Sequence, residues 1–430
     1  KNRHKPNYNL VPTWQTDNSL DPLSTYVSDD FFGFLNDTDS LNNPIPPLLD
    51  IAIGRIPARN LAEANAIIDK IIAYHQPESL GPWRRNISFI ADDEDNNLHL
   101  LDAETISDRT EKEFPYGLTE KIYLDAYRQE STPAGNRYPS VRQNLINNFY
   151  KGVLIWNYTG HGGNRRLAEE VIFDSELVDK LKNQNKLPLM VVATCDFTPF
   201  DHPLVYSLGE EILFKPHTGA IALMSATRLV FAASNSLIHD NYLHVLFSKS
   251  NSGKYKTLGE ASREVKNLNY AVYGDVINNR KFALLGDPGM RLAFPEYSIV
   301  TTEINGKAID SDTLKALQKT VISGEIRDHA GALITGFNGT IYPVVIDKPA
   351  FLQTLGNDAG SSPVSYLAYN RRLYNGSASV NGGKFSFEFV VPGDIQYQYG
   401  KGKISYYATD GSIDAGGGSN EIIIGGTGGG

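Results

Sequence analysis

One cysteine, Cys195, stands in 430 residues. An internal disulfide is therefore excluded, and a lone thiol is either inert packing or chemistry. No run of about 18 apolar residues occurs, so nothing reads as a membrane-spanning helix. No Lys/Arg run occurs either, and the net charge is −9. Phosphate binding needs a basic footprint, which argues against a nucleic-acid partner. HExxH, P-loop and GxSxG patterns are missing, which removes the common zinc-peptidase, nucleotide and serine-hydrolase readings. No metal-ligating residue is assigned: His239 and His244 are five apart and point to different faces of a helix. The opening KNRHKPNYNLVPTW has no apolar signal core and reads as an entry in mid-protein, so a signal peptide or pro-region ahead of it stays open.

What is present is an ordinary globular composition, 41% hydrophobic and 21% charged, long enough for two or three domains. Up to about residue 295, strand and helix patterns alternate. LLDIAIGRIPA reads as a strand ending in a turn. Leu61, Ala64, Ile67, Ile68, Ile71 and Ile72 recur at helical spacing. NISFIADDED is a strand running into an acidic loop. Pro139-Ser140 opens a helix marked by Val141, Leu145, Ile146 and Phe149. GVLIWNY, LPLMVVATC and GAIALMSAT are near-continuous apolar strands, DSELVDKLKN and a stretch from Leu204 to Leu213 are helical, and further helices fall near 235–249 and 257–270. Apolar runs between helices predict a mostly parallel sheet covered on both faces, an α/β fold with its chemistry at the carboxyl ends of the strands. From about 296 to 425 the pattern changes to short alternating stretches separated by turns, the signature of an immunoglobulin-like β-sandwich. In KFSFEFVV, Phe385, Phe387 and Phe389 share one face. KPAFLQTLGNDAGSSPVSYLAYNRR is a long insertion, and residues 415–430 read as a Gly-rich flexible tail.

The segment WNYTGHGG delivers His161 into a glycine loop at the end of an apolar strand. Alone it reads equally well as a tight turn. Cys195 follows another apolar strand 34 residues later. One strand-helix-strand crossover of that size puts both strand ends on the same edge of the sheet. A thiol facing an imidazole is an activatable nucleophile. The N–H groups of Gly162 and Cys195 are the natural donors to an oxyanion. The loop DFTPFDHP after Cys195 holds Phe197 and Phe200, which would supply a rigid apolar wall beside the thiol. Asp29 and Asp30 read as structural or calcium-linked, Asp287 as a turn residue, and His202 as a loop residue.

NYTGHGG followed by LPLMVVATCDF resembles the His and Cys segments of the gingipain-type cysteine peptidases, with IGRIPA and LLGDPGMRL as matching flanks. The resemblance spans most of residues 25–295 and implies a caspase-like fold with Cys195 and His161 catalytic. It implies an orienting carboxylate at Glu94, crowded by Asp92, Asp93 and Asp95; the bland reading of that loop is solvated acid or a structural calcium site, and no other cofactor is expected. TYVSDDFFGFL, FIADDED, KFSFEFVVP and GKISYYATD carry a closer resemblance, to the family's cell-surface sortases of type IX secretion. That implies protein substrates bearing a C-terminal secretion domain, transfer to a lipopolysaccharide amine, contact with other secretion components, and a place on the outer face of the outer membrane. The basic-residue specificity of other members does not carry over. The alternative is a non-catalytic surface protein, a degenerate peptidase fold presenting its β-sandwich for binding.

Overall fold

In this computed structural model, residues 10–17, 23–42, 47–250, 253–309 and 312–428 are described. The first nine residues of the opening segment and the last two of the glycine-rich end lie outside them.

The apolar runs of the first part are strands buried almost throughout: β1 (Asn86–Ala91), β3 (Ile155–Thr159), β4 (Leu189–Ala193) and β5 (Ala222–Ala226). With β2 (Leu118–Tyr123) and β6 (Phe282–Leu285) they form one sheet in the order β6-β5-β4-β3-β1-β2. All neighbours are parallel except β5 and β6. Two separate apolar clusters cover the two faces, one around Phe89, Val191 and Met224, the other around Ile90, Trp156 and Val192. Strand side chains alternate faces, so a run apolar at every position feeds both clusters.

Local signals set the helices. α1 (Leu61–Tyr74) starts where the Asn60 side chain accepts the Glu63 N–H at 2.9 Å, and it buries Ala66, Ile67, Lys70 and Tyr74. α2 (Leu98–Glu113) follows β1. α3 (Pro139–Lys151) has proline at its first position, buries Val141, Leu145 and Phe149, and ends at Gly152 with φ +92°. α4 (Leu208–Phe214) begins later than the Leu204 periodicity suggests: Ser207 and Glu210 form a capping box that fixes its start, and Leu204 is exposed. α5 (Ala232–Phe247) and α6 (Leu258–Leu268) complete the series. DSELVDKLKN yields only one short helix, Ser175–Asp179. LLDIAIGRIPA is not a strand; only Arg55 bridges to Leu285, while its guanidinium pairs with Asp29. No helix among the described residues is long and apolar enough to cross a membrane.

The second part is a closed β-sandwich with its own core, from Ile299 to Ile424. β7 (Tyr297–Ile304), β8 (Lys319–Arg327), β9 (Gly339–Ile346), β10 (Ala378–Asn381), β11 (Lys384–Val390), β12 (Gly400–Thr409) and β13 (Asp414–Thr427) run around it in the order β7-β8-β11-β10-β9-β12-β13, and β13 pairs back onto β7. Phe385, Phe387 and Phe389 all face inward, alternating with exposed residues. The glycine-rich stretch is therefore not a flexible tail: through residue 427 it is the strand that closes the sandwich. The reason is space. A Cβ on Gly417 would lie 2.0 Å from the Ile299 carbonyl oxygen, so glycine permits that approach.

The two parts are joined by buried polar contacts. Arg84 pairs with Asp414 at 2.8 Å, and Lys403 Nζ donates to the Gly117 carbonyl at 2.6 Å. The long insertion forms a hairpin, Ala350–Gln353 with Ser365–Ala368, that reaches back to the first sheet.

Candidate active site

The chain runs from β1 to the edge strand β2, then returns to the other side of β1 as β3. That reversal puts the switch point between β1 and β3, where open α/β sheets bind ligands at the carboxyl end. Ala91, Thr159 and Ala193 are level in the register. Two residues beyond them stand Asp93, His161 and Cys195. His161 and Cys195 thus stand on one edge of the sheet, each two residues past neighbouring parallel strands in equal register.

The His161 loop is gripped from three sides. Its N–H donates to Asp92 Oδ2 at 2.8 Å, and its carbonyl accepts from the Tyr158 hydroxyl at 2.6 Å and from Ala168 N–H at 3.0 Å. The ring is half exposed, with Nε2 3.0 Å from Asp95 Oδ2. A carboxylate there accepts Nε2–H and leaves the Nδ1 lone pair free for proton transfer. Gly162 lies so close to the Cys195 loop that a Cβ would meet Thr194 Oγ1 at 2.8 Å. Asn164 reaches Asp196 at 3.4 Å, a second tie between the His and Cys loops.

Cys195 is half-buried and its Sγ points to the Val230 carbonyl at 3.5 Å. No hydrogen bond joins it to the imidazole among the described residues. Asp196, with φ +49°, turns the chain directly after it and gives its N–H to Arg228. The Cys195 N–H has no acceptor among the described residues, as an oxyanion donor requires. The loop beyond is held by Arg228, which grips Asp201 at 2.9 and 2.7 Å. Phe197 and Phe200 do not form an apolar wall there; both are packed into the core, and Arg55 lies over the Phe200 ring.

Glu94 is not the residue on the imidazole. Asp95 takes that place, because Asp95, Asn96 and Asn97 all adopt left-handed backbone (φ 58°, 57° and 67°) and turn the chain back over His161. Glu94 instead joins Asp92, Asp93 and Glu170, whose ligating oxygens all lie within 4.8 Å of one another. Burial, then the charge of Glu94, pushes the Asp92 carboxyl well up. Burial likewise raises Asp93 to about 6 and Glu170 to about 7. One oxygen each of Asp93, Glu94 and Glu170 is buried without a hydrogen bond. Such a quartet must hold protons or a hard cation.

A second group was also missed: Asp95, His99 and His161 converge. The signal in the sequence was the i,i+4 pair in DNNLH, which places His99 on the first turn of α2 facing Asp95. Burial, with the neighbouring His161 charge adding, lowers His99 to about 4. Elsewhere Asp29 and Asp30 are ion-paired with Arg55 and Lys266, which leaves them structural and not a calcium loop. Asp287 Oδ1 accepts the Gly289 N–H in a turn. His239 is buried against Phe282, and His244 bonds Glu113.

The class defined by this sheet, its switch-point loops and the appended sandwich is a caspase-like cysteine peptidase. The chain belongs to peptidase family C25, whose profile matches residues 1–293. The Arg-specific cysteine proteinase gingipain R (RgpB) is similar at 17% identity, over 93% of this chain and 79% of that one, with a TM-score of 0.51. The Porphyromonas gingivalis complex of RgpB pro- and mature domains is similar at 18% identity, over 91% and 81%, with a TM-score of 0.50. Dimeric latent PorU from Porphyromonas gingivalis aligns at 25% identity over 96% of this chain and 33% of that one, with a TM-score of 0.36. No curated protein matches.

Proposed function

We propose that this chain is a sortase-type cysteine endopeptidase in which Cys195 is the nucleophile and His161 its base. The observation that carries the assignment is that Thr159 and Ala193 are level on the adjacent parallel strands β3 and β4, with His161 and Cys195 each two residues beyond, at the carboxyl edge next to the switch point. His161 Nδ1 takes the thiol proton, Sγ attacks the scissile carbonyl, and the oxyanion settles against the N–H groups of Cys195 and Gly162. His161 then protonates the leaving amine, and a thioester remains. Water or an incoming amine resolves it, with His161 again as base. Asp95 holds the imidazole in the required tautomer.

The substrates we assign are proteins carrying a C-terminal secretion domain, with a lipopolysaccharide amine as acceptor, on the outer surface of a type IX-secreting bacterium. The sequence motifs support this finer reading. An open groove of about 520 Å³ reaches His161 and is bordered by Arg137, Arg166, Glu169 and Asp358, polar side chains that suit a polar acceptor beside the base. The acidic quartet fits a structural calcium ion held by Asp92, Asp93, Glu94 and Glu170, which would neutralise the buried carboxylates.

The test is incubation with a cargo bearing its secretion domain, with and without added amine, followed by mass spectrometry of the new C-terminus. Cleavage lost in Cys195→Ala, and amide product rising with amine, is expected. Free acid alone at saturating amine leaves a hydrolytic endopeptidase. Full turnover by Cys195→Ala ends the cysteine mechanism, and no cleavage by the unsubstituted protein returns the degenerate-fold alternative.

A further inference from the structure

Asp95 Oδ2 sits between two imidazole nitrogens, 3.0 Å from His161 Nε2 and 3.3 Å from His99 Nε2. The two rings meet edge to face, 5.1 Å between centroids and 89° between planes. His99 is 5% exposed, and its Nε2, although buried and 3.3 Å from this carboxylate, makes no hydrogen bond. Zinc bonds to His nitrogen and carboxylate oxygen at about 2.0–2.1 Å, which makes the edge of a tetrahedral site roughly 3.3 Å. The two donor separations around Asp95 are already close to that edge. Asp95 and His161 are half exposed, so an ion enters from solvent and keeps its fourth position for water.

We propose that Asp95, His99 and His161 form a zinc site, and that zinc bound there switches the peptidase off by occupying His161. Two imidazoles and one carboxylate suit zinc better than calcium, which prefers an all-oxygen set such as the neighbouring quartet. Zinc takes the Nε2 lone pair, so the single ring proton moves from Nε2 to Nδ1; the ring is pinned and Nδ1, now carrying that proton, no longer accepts one from the thiol. Chelation reverses the block because no covalent bond is made. The inhibitory half rests on His161 being the base; the metal site itself does not.

The experiment titrates the full chain with zinc chloride by calorimetry. It uses Cys195→Ala, so that no thiol contributes, and that variant combined with His99→Gln or with Asp95→Asn. One zinc per chain is expected, weakened at least tenfold by either second substitution, with circular dichroism melting curves confirming that each variant is folded. Asp95 is half exposed, so its variant keeps the test valid if His99→Gln does not fold. Absence of binding at 100 micromolar zinc, or affinity unchanged in both double variants, overturns the site. In a parallel assay, zinc should inhibit cleavage by the unsubstituted protein, EDTA should restore it, and His99→Gln should need at least tenfold more zinc for the same inhibition. Binding that depends on His99 without inhibition overturns the switch and keeps the site. Full peptidase activity in His161→Ala counts against the base assignment alone.

Discussion

Asp95 Oδ2 accepts from His161 Nε2 at 3.0 Å, whereas Glu94, one residue earlier, lies with the buried quartet behind the loop. The two acids therefore separate by experiment. Asp95→Asn removes the charge that favours the imidazolium and the Nε2–H tautomer. It should lower kcat by about 10- to 100-fold, less than a fully buried orienting aspartate would, because the pair is half exposed. Glu94→Gln should leave kcat within about threefold and act on stability. Steady-state kinetics of the two variants checks the order; a larger kcat loss in Glu94→Gln restores Glu94 as the orienting residue.

The quartet gives a metal-removal prediction. Asp92, Asp93, Glu94 and Glu170 with no cation between them repel one another in a buried site. Chelation with EGTA at pH 7.5 should lower Tm by several degrees, and millimolar calcium should restore it. Glu170→Gln should reduce that calcium response. Differential scanning fluorimetry reads all three, and a Tm indifferent to calcium sinks the ion.

Much of this arrangement was legible in the sequence because buried parallel strands are apolar at every position. Ile155–Thr159 and Leu189–Ala193 announce themselves that way, and the loops after them carry His161 and Cys195. What was not legible depends on backbone sign and on tertiary contacts. Three left-handed residues in a row at Asp95, Asn96 and Asn97 decide which acid meets the imidazole; side-chain type hints at such a turn without fixing it. The run LLDIAIG looks like a strand, but its end is diverted where Arg55 pairs with Asp29. The glycines from 416 to 418 look flexible alone, yet they are what lets a strand close the sandwich against Ile299. The aromatics after Cys195 look like a wall but turn inward, since burying them outweighs lining a cleft.

Lys70 supplies a pH dependence away from the active site. It is buried in α1, its ammonium donates to the Leu213 carbonyl at 2.8 Å, and burial lowers its pKa to about 7. In the unfolded chain it titrates near 10.4. Between those values the folded state binds fewer protons than the unfolded one, so this group makes stability rise with pH from about 7 upward. The slope is at most about 1.4 kcal/mol per pH unit. Urea unfolding at pH 7, 8 and 9 should show the rise in the unsubstituted protein and a flatter profile in Lys70→Met.

Asp125 couples the sandwich to the active-site loop. Its Oδ1 and Oδ2 accept the N–H groups of Asn357 at 2.6 Å and Gly356 at 2.8 Å, both in the turn of the long insertion. The same turn reaches the acidic loop, where Ser361 Oγ donates to the Asp93 carbonyl and Asn97 Nδ2 donates to the Ser362 carbonyl at 2.9 Å. Asp125→Ala removes the acceptor of two half-buried donors and should destabilise the protein by about 1–2 kcal/mol. It should also loosen residues 93–97, seen as faster amide hydrogen exchange there. Exchange unchanged in that loop would show that the hairpin packs on the site without holding it.

Two adjacent glycines test how closely the His and Cys loops must approach. A Cβ on Gly162 would meet Thr194 Oγ1 at 2.8 Å and both the Arg166 carbonyl oxygen and Leu167 Cδ2 at 3.0 Å. Thr194 is buried, so its side chain has little room to yield. A Cβ on Gly163 would meet nothing within 4 Å. Gly162→Ala should therefore cost about 1–3 kcal/mol of stability through overpacking. It should also push the His161 loop from the Cys195 loop and shift an oxyanion donor, which together should cut kcat about 100-fold while KM changes little. Gly163→Ala carries the same added methyl one residue along and should leave both quantities nearly unchanged. Equal kcat in the two variants would mean that the approach of Gly162 to Thr194 serves packing alone, and the oxyanion donor beside Cys195 would have to be sought elsewhere.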